Sequence, residues 1–343
     1  MKRLLICLLL LPAVLGLTPT ASATWGSFIS TGSTPGIGNP SCAMVSTGHV
    51  VCAVRSGASA IMVNEFSGTT WGTWTSLVGA VSTDASCTSN GSGSVICAAT
   101  ATNGSLLVTT FNGTTWANPT QVKAALYSAP SCAQYLAPQV LCVARNVSGG
   151  LAWSLYNGTT WSKFANLATT AVSAPSCTTD NHSGVVCGVF TTAWATETNR
   201  FAAGKWQGFL NIGGIAGGEP DCTSLNFGGA VVCFAKAYNS SIYGSLFNGG
   251  SWVVGDWAPY SSISGNVNDN SSCTSQAAGF LVCGGMAIDN AFYGNVYNGT
   301  VWEGWVKVGS SGVGTPSCAP LGGGQVLCTI MGTNNQLTSV VGP

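Results

Sequence analysis

Short apolar runs recur along this chain with almost no alternation: VVCAV, VICAA, VLCVA, VVCGV, VVCFA, LVCGG and VLCTI. A continuous apolar run of four to six residues implies a strand covered on both faces, whereas strict alternation would mark a sheet with one wet face. Each run follows a short Ser-Cys or Asp-Cys segment, and each precedes a third apolar stretch after a turn rich in Gly, Asn or Ser. Residues 85–124 illustrate the pattern. Ser86-Cys87-Thr88 begins one strand, Ser94–Ala99 is a second, Leu106–Phe111 a third, and Trp116 opens a fourth. Asn112-Gly113 between the last two is a strong hairpin signal, and a two-residue turn of that kind needs positive φ at both positions. No window carries apolar residues at helical spacing, and Gly is too frequent for helices. Four short antiparallel strands per unit is the meander of a propeller blade.

The unit repeats along nearly the whole chain. A Cys is followed 19 residues later by a Trp six times, and a second Cys precedes the first by ten residues, once by eleven. The leading cysteines step by 45, 45, 45, 45, 51 and 45 residues, giving seven copies. The last copy stops at Pro343, short of its Trp, while Thr24–Phe28 reads as a fourth strand with no third before it. The two ends complete each other. The expectation is one all-β domain over residues 24–343: a seven-bladed propeller whose N- and C-terminal strands share the closing blade, leaving no terminal surface to cap.

Residues 1–23 stand apart. Lys2 and Arg3, a short apolar run and Ala21-Ser22-Ala23 form a leader with a small-residue cleavage site. No later stretch approaches 18 uninterrupted apolar residues, so no membrane span is expected. Cys7 lies in the leader, and the remaining 14 cysteines pair as Cys42-Cys52, Cys87-Cys97, Cys132-Cys142, Cys177-Cys187, Cys222-Cys233, Cys273-Cys283 and Cys318-Cys328. Opposed on adjacent antiparallel strands, such pairs bring Cα atoms about 4.5–5.5 Å apart, within disulfide reach. Zinc sites use tighter C-x2–4-C spacing and a second pair nearby. The expected compartment is oxidising, and the protein secreted.

Only 6% of the residues are charged, and loss of Lys2 and Arg3 with the leader leaves a net charge of −2. No basic stripe exists, which argues against nucleic acid as a partner. A Gly/Ser/Thr/Asn surface suits neutral ligands such as glycans, and nothing calls for a cofactor or metal.

Seven tryptophans hold one equivalent position: Trp25, Trp71, Trp116, Trp161, Trp206, Trp252 and Trp302. They can stack on sugars or pack blade against blade, and both readings stay open. Arg55, Arg145 and Lys236 share the place three residues after the second Cys, where they could bond sugar hydroxyls or face solvent. The GTTW turns, continuing as W-x-x-W/F into a Leu-Gly or Gly-Gly stretch, resemble the blades of bacterial seven-bladed propeller lectins of the fucose-binding type. That resemblance covers the chain from residue 24 onward and implies sugar binding at several inter-blade sites. The same turns match the Asp-box of sialidases only in the turn itself, since Phe111 or Tyr156 stands where its Asp would be. The chain beyond the leader holds three Arg (Arg55, Arg145, Arg200), two of them at equivalent places in different units, and its imidazole bases are His49 and His182. No catalytic set stands out, and the expected function is a non-catalytic, multivalent, carbohydrate-binding protein; a structural or protein-binding scaffold is the alternative.

The repeat breaks in two places. Unit 4 has Trp194 in the turn between its second and third strands, with Glu197 and Arg200 in the third strand; the insertion after Trp252 brings Trp257 and Tyr260. In a four-stranded meander both irregularities emerge on one rim. The expectation is a shared groove there with aromatic walls.

Overall fold

The structure, a computed structural model, describes residues 24–33, 36–77, 79–212, 218–226, 228–236, 242–249 and 270–343. The leader and Trp252, Trp257 and Tyr260 lie outside the described residues. Everything described is β-strand, turn or irregular chain, with no helix among these residues.

Unit 2 shows the plan. Ser86–Ser89, Val95–Thr100, Leu106–Phe111 and Thr120–Val122 form a four-stranded antiparallel meander, each strand hydrogen-bonded to the next in sequence. Unit 3 repeats it with Ser131–Gln134, Val140–Arg145, Leu151–Tyr156 and Ala165–Leu167. The fourth strand does not run on from the Trp as expected. Trp71, for example, pairs with Phe66, the chain leaves the sheet, and Thr75–Leu77 returns to pair with Ile61, Met62 and Val63.

The hairpin turn also departs from expectation. Gly113 has φ 99°, whereas Asn112 is not in the left-handed region. The Asn112 side-chain oxygen instead accepts the N–H groups of Thr114 and Thr115 at 3.0 and 2.8 Å, and Thr115 C=O accepts the Asn112 N–H. Asn is selected here as an acceptor for the turn's own amides rather than for positive φ. Asn157 and Asn298 do the same in their units.

The apolar second strands are buried on both sides. All of Val95–Thr100 is buried; Val95, Cys97 and Ala99 pack with Val51, Ala53 and Val63 of unit 1, while Ile96 and Ala98 pack with Val140, Cys142 and Ala144 of unit 3. Equivalent clusters join units 3 and 4, 4 and 5, 5 and 6, 6 and 7, and finally 7 and 1. Each fully buried Val, Leu or Ile contributes roughly 1.5–3 kcal/mol relative to exposure, so the weight of the fold lies between units. All seven expected disulfides are present, each joining directly opposed residues of a first and second strand, with Cα atoms 3.9–4.1 Å apart. That is closer than the sequence-based range. Seven such bonds belong to an oxidising environment.

First strands are tied to one another by a single recurring bond. The Cys87 N–H donates to Ser41 Oγ at 2.8 Å, Cys132 to Ser86 at 3.0 Å, Cys177 to Ser131 at 2.8 Å, and Cys222 to Ser176 at 2.9 Å. Cys273 donates to Asp221 and Cys318 to Ser272; Cys42 then donates to Ser317 at 2.9 Å, returning the series to its start.

The chain ends meet. Ile29–Ser30 pairs antiparallel with Leu337–Gly342, and the Gly26 N–H donates to Val341 C=O at 2.8 Å. Trp25 packs on Val282, Phe292 and Val340, seated over two glycines, Gly294 and Gly342, where a Cβ would overlap its ring. Gly342→Val is therefore expected to lower stability by about 1–3 kcal/mol through over-packing. The loss should shrink in a Trp25→Ala background, which urea unfolding of the two single variants and the double variant would measure.

Candidate functional site

The six described members of the repeated Trp set share one surrounding: each packs in the cluster between its own unit and the preceding one. Trp71 adds a hydrogen bond, Nε1 to Ser339 Oγ at 2.9 Å. All six remain half-buried, and Trp71 and Trp116 line one inter-unit groove.

The groove between units 1 and 2 carries several polar groups. A cavity of about 400 Å³ opens there, lined among others by Glu65, Thr70, Thr73, Thr75 and Trp116. Glu65 sits on Ile61–Ser67 opposite Val51, on the face turned toward unit 2. His49 lies at the start of the neighbouring strand; its Nε2 is 3.2 Å from Glu65 Oε2, and its ring stands perpendicular to Phe111 at 5.7 Å. Asn64 stiffens the wall: its amide donates to Thr31 C=O and Gly72 C=O, both at 3.2 Å. The result is a carboxylate oriented by an imidazole, hydroxyls around it and two indoles, Trp71 and Trp116. Such a set can accept hydroxyl protons and cover an apolar ring face, and its volume falls at the small end of ligand pockets.

Neither Glu65 nor its partner His49 stood out in the sequence as a ligand contact. A signal existed: the places equivalent to Glu65 hold Thr110, Leu155, Arg200, Leu246, Val296 and Val341, so this unit alone is acidic there.

The residues singled out from sequence are placed as follows. Trp194 lies in its turn with φ 57°, 60% exposed and edge-on to Phe190 at 6.0 Å. Glu197 is half-buried in the same unit, opposite Val189 and Asn211. Arg200 does not join them. It lies at the far end of Thr196–Ala202, about 13 Å along a strand that rises 3.3 Å per residue. There its Nε donates to the fully buried Asp180 at 2.8 Å. Asp180 also accepts the N–H groups of His182 and Gly184, so this guanidinium is committed to holding a turn. Arg145 lies 5.2 Å over the Tyr127 ring. Lys236 ends its second strand at the equivalent place.

Arg55 leads to a second cavity, of about 570 Å³, at the starts of the first strands. Its Nε donates to Asp84 Oδ1 at 3.2 Å, and Asp84 Oδ2 accepts the Asn39 N–H at 3.0 Å. Glu219 and Asp221 also line this mouth. Burial raises the Glu219 carboxyl above its ordinary value; the Ala174 N–H pulls it down, and Asp84 pushes it further up. Burial pushes Asp221 up to about 7, against the pull of the Cys273 N–H. Among the described residues no three His, Cys, Asp or Glu side chains are gathered to hold a metal ion.

No family model matches the chain, and no curated protein matches it in sequence. Solved structures do match. The BP39L lectin from Burkholderia pseudomallei superposes with a TM-score of 0.74 at 14% identity, covering 88% of this chain and 95% of that one. The Aleuria aurantia lectin, described as a six-bladed β-propeller with a novel fucose recognition mode, gives 0.58 at 15% identity, over 84% and 98%. The SapL1 lectin, solved with α-methyl fucoside, gives 0.55 at 12% identity, over 81% and 97%. The fold is that of the β-propeller lectins. In propeller terms the Trp grooves lie between blades, and the mouth with Arg55 and Asp221 lies where the first strands of the blades converge.

Asp221 stands where the other blades have Ser, in the bonded series of first strands. Its folded value lies above its ordinary value of 3.8, so folding favours the protonated form, and stability falls as pH rises from about 4 to about 7. Asp221→Ser keeps an acceptor for Cys273 without that penalty. It is expected to melt with the parent near pH 4 and several degrees above it at pH 8, in thermal melts across that range.

Proposed function

We propose that the protein is a secreted, non-catalytic lectin built as a seven-bladed propeller, with the N-terminal strand completing the last blade. The blade count is supported by the seven inter-unit clusters and by the bond from Cys42 back to Ser317; the shared blade is supported by the pairing of Ile29–Ser30 with Leu337–Gly342. The leader and the seven disulfides support secretion.

The observation that carries the binding role is the groove between blades 1 and 2, with Glu65 held by His49 and facing Trp116. Neutral sugars are recognised by this combination: a carboxylate accepts two hydroxyls, and an indole covers the C–H face or a methyl substituent. The fucoside bound to a structural neighbour makes a 6-deoxyhexose the first ligand to try. Its methyl group would lie against the indole and its hydroxyls against Glu65 and the threonines. Grooves in other blades have different residues at the Glu65 position, so the sites are unequal, and avidity on a glycan surface comes from several weak contacts.

Calorimetric titration with α-methyl fucoside, backed by a glycan array, tests this reading. Glu65→Ala is expected to weaken binding at least about tenfold, in line with loss of a charge-assisted hydrogen bond of about 1.5–3 kcal/mol. Its melting temperature should stay close to the parent's, because Glu65 is half-exposed. Binding by Glu65→Ala equal to the parent's, or a blank array for the parent, overturns it.

A further inference from the structure

The mouth where the first strands converge is ringed by two sets of polar groups. The inner set is the series of bonds between first strands. Ser41, Ser86, Ser131, Ser176, Ser272 and Ser317 each accept a Cys N–H from the next blade, and all six line the cavity of about 570 Å³. A hydroxyl that accepts an N–H still has its own proton to give. Among the described residues none of these six protons has a protein acceptor, and every one of the serines is half-buried.

The outer set lies three residues before each leading Cys. There the backbone N–H of one blade is capped by a side chain of the next. Asn39 donates to Asp84 at 3.0 Å, Ala174 to Glu219 at 3.3 Å and Thr315 to Asn39 at 3.0 Å. Two consecutive blades break the series. The caps for the Asp84 and Ala129 amides would have to come from Ala129 and Ala174, whose methyl groups hold no acceptor. Neither N–H donates to any other described residue, so blades 2 and 3 bring two uncapped amides to the wall of one cavity.

The same wall carries the carboxylates of Asp84, Glu219 and Asp221. Five prolines, Pro40 and Pro130 among them, stand between the two sets. Proline locks φ, so the wall is shaped before any ligand arrives and little ordering is lost on binding. Their rings also supply apolar C–H surface. The cavity falls within the volume range of small-molecule pockets.

Ligand chemistry follows from this mixture. An anion would meet three carboxylates against one lining cation, Arg55, which is already paired with Asp84. An alkylammonium brings donors only, and leaves the serine protons and both amides without acceptors. A hydroxyl serves both needs: its oxygen accepts from a serine or an amide, and its proton goes to a carboxylate.

We propose that this mouth is a second binding site, taking a neutral six-membered ring that carries several adjacent hydroxyls, either a free cyclitol or the terminal pyranose of a glycan. The ring's oxygens accept from the Asp84 and Ala129 amides and from the serines, its protons go to Glu219, and its C–H faces lie against the prolines. The site shares no lining residue with the groove of Glu65 and Trp116.

The test is amide NMR of ¹⁵N-alanine-labelled protein, residues 24–343, titrated with myo-inositol and separately with methyl α-D-glucopyranoside. The Ala129 resonance is expected to shift saturably, with a Kd of about 1 mM or tighter. Ala152, buried in the third strand of the same blade, should stay in place. A shift with either compound supports the site, and the pattern between the two tells a free cyclitol from a glycan end. Ala129→Asp supplies the missing cap for the Asp84 amide, as Asp84 does for Asn39, and should weaken binding about five- to tenfold by calorimetry. If that variant fails to fold, the parent titration still decides. An Ala129 resonance unmoved at about 10 mM of both compounds overturns the proposal, as does a folded Ala129→Asp that binds like the parent. So does a mouth that answers to spermidine or inorganic phosphate and not to the polyols.

Discussion

Everything in this fold rests on second strands that have no wet face. Val95–Thr100 gives half its side chains to the preceding blade and half to the following one, and its counterparts do likewise. A blade alone would expose both apolar faces, so the unit is stable only with neighbours on each side. The repeated Trp covers the outer part of the same interface, and the bond from a Cys N–H to a Ser hydroxyl registers the inner part. The arrangement is carried by contacts between repeats more than within them.

That division separates structure from candidate chemistry. Where all blades agree, the residues hold the molecule together: the disulfides, the Ser of the inner bonds and the indole between blades. Where one blade departs, a local property appears. Asp221 replaces a Ser and brings a titrating group inward, and Glu65 replaces an apolar or hydroxylated residue in a groove. Arg200 departs as well, yet Asp180 absorbs it within the same blade. Irregularity marks where to look, and the partner decides whether the residue is available.

Much of the fold was legible because it follows from spacing alone. The ten-residue Cys spacing and the truncated last repeat anticipated the disulfides and the meeting of the chain ends. The Asn-Gly turn was misread in detail, because composition cannot distinguish an Asn that tolerates positive φ from one whose side chain accepts two amides. The site was less legible. Strand counting implied that Trp194 shares a rim with Trp257 and Tyr260, which lie outside the described residues, and Arg200 lies toward the other end of its strand from Trp194. Glu65 went unnoticed because its value depends on His49, which is 16 residues away in sequence and 3.2 Å away in space. Pairings across strands are set by register, and register is fixed by neighbours that a linear pattern does not display.

The disulfides all lie at the inner end of the blades, each spanning two strands adjacent in the chain. Fourteen cysteines ordinarily pose a severe pairing problem during oxidation. Here the correct partner is always the nearest one along the chain, and loop closure favours it before any distant competitor. Each blade can therefore be stapled as soon as its first hairpin emerges during synthesis, long before the two chain ends can pair. The late event is the joining of the two chain ends, which no covalent bond secures.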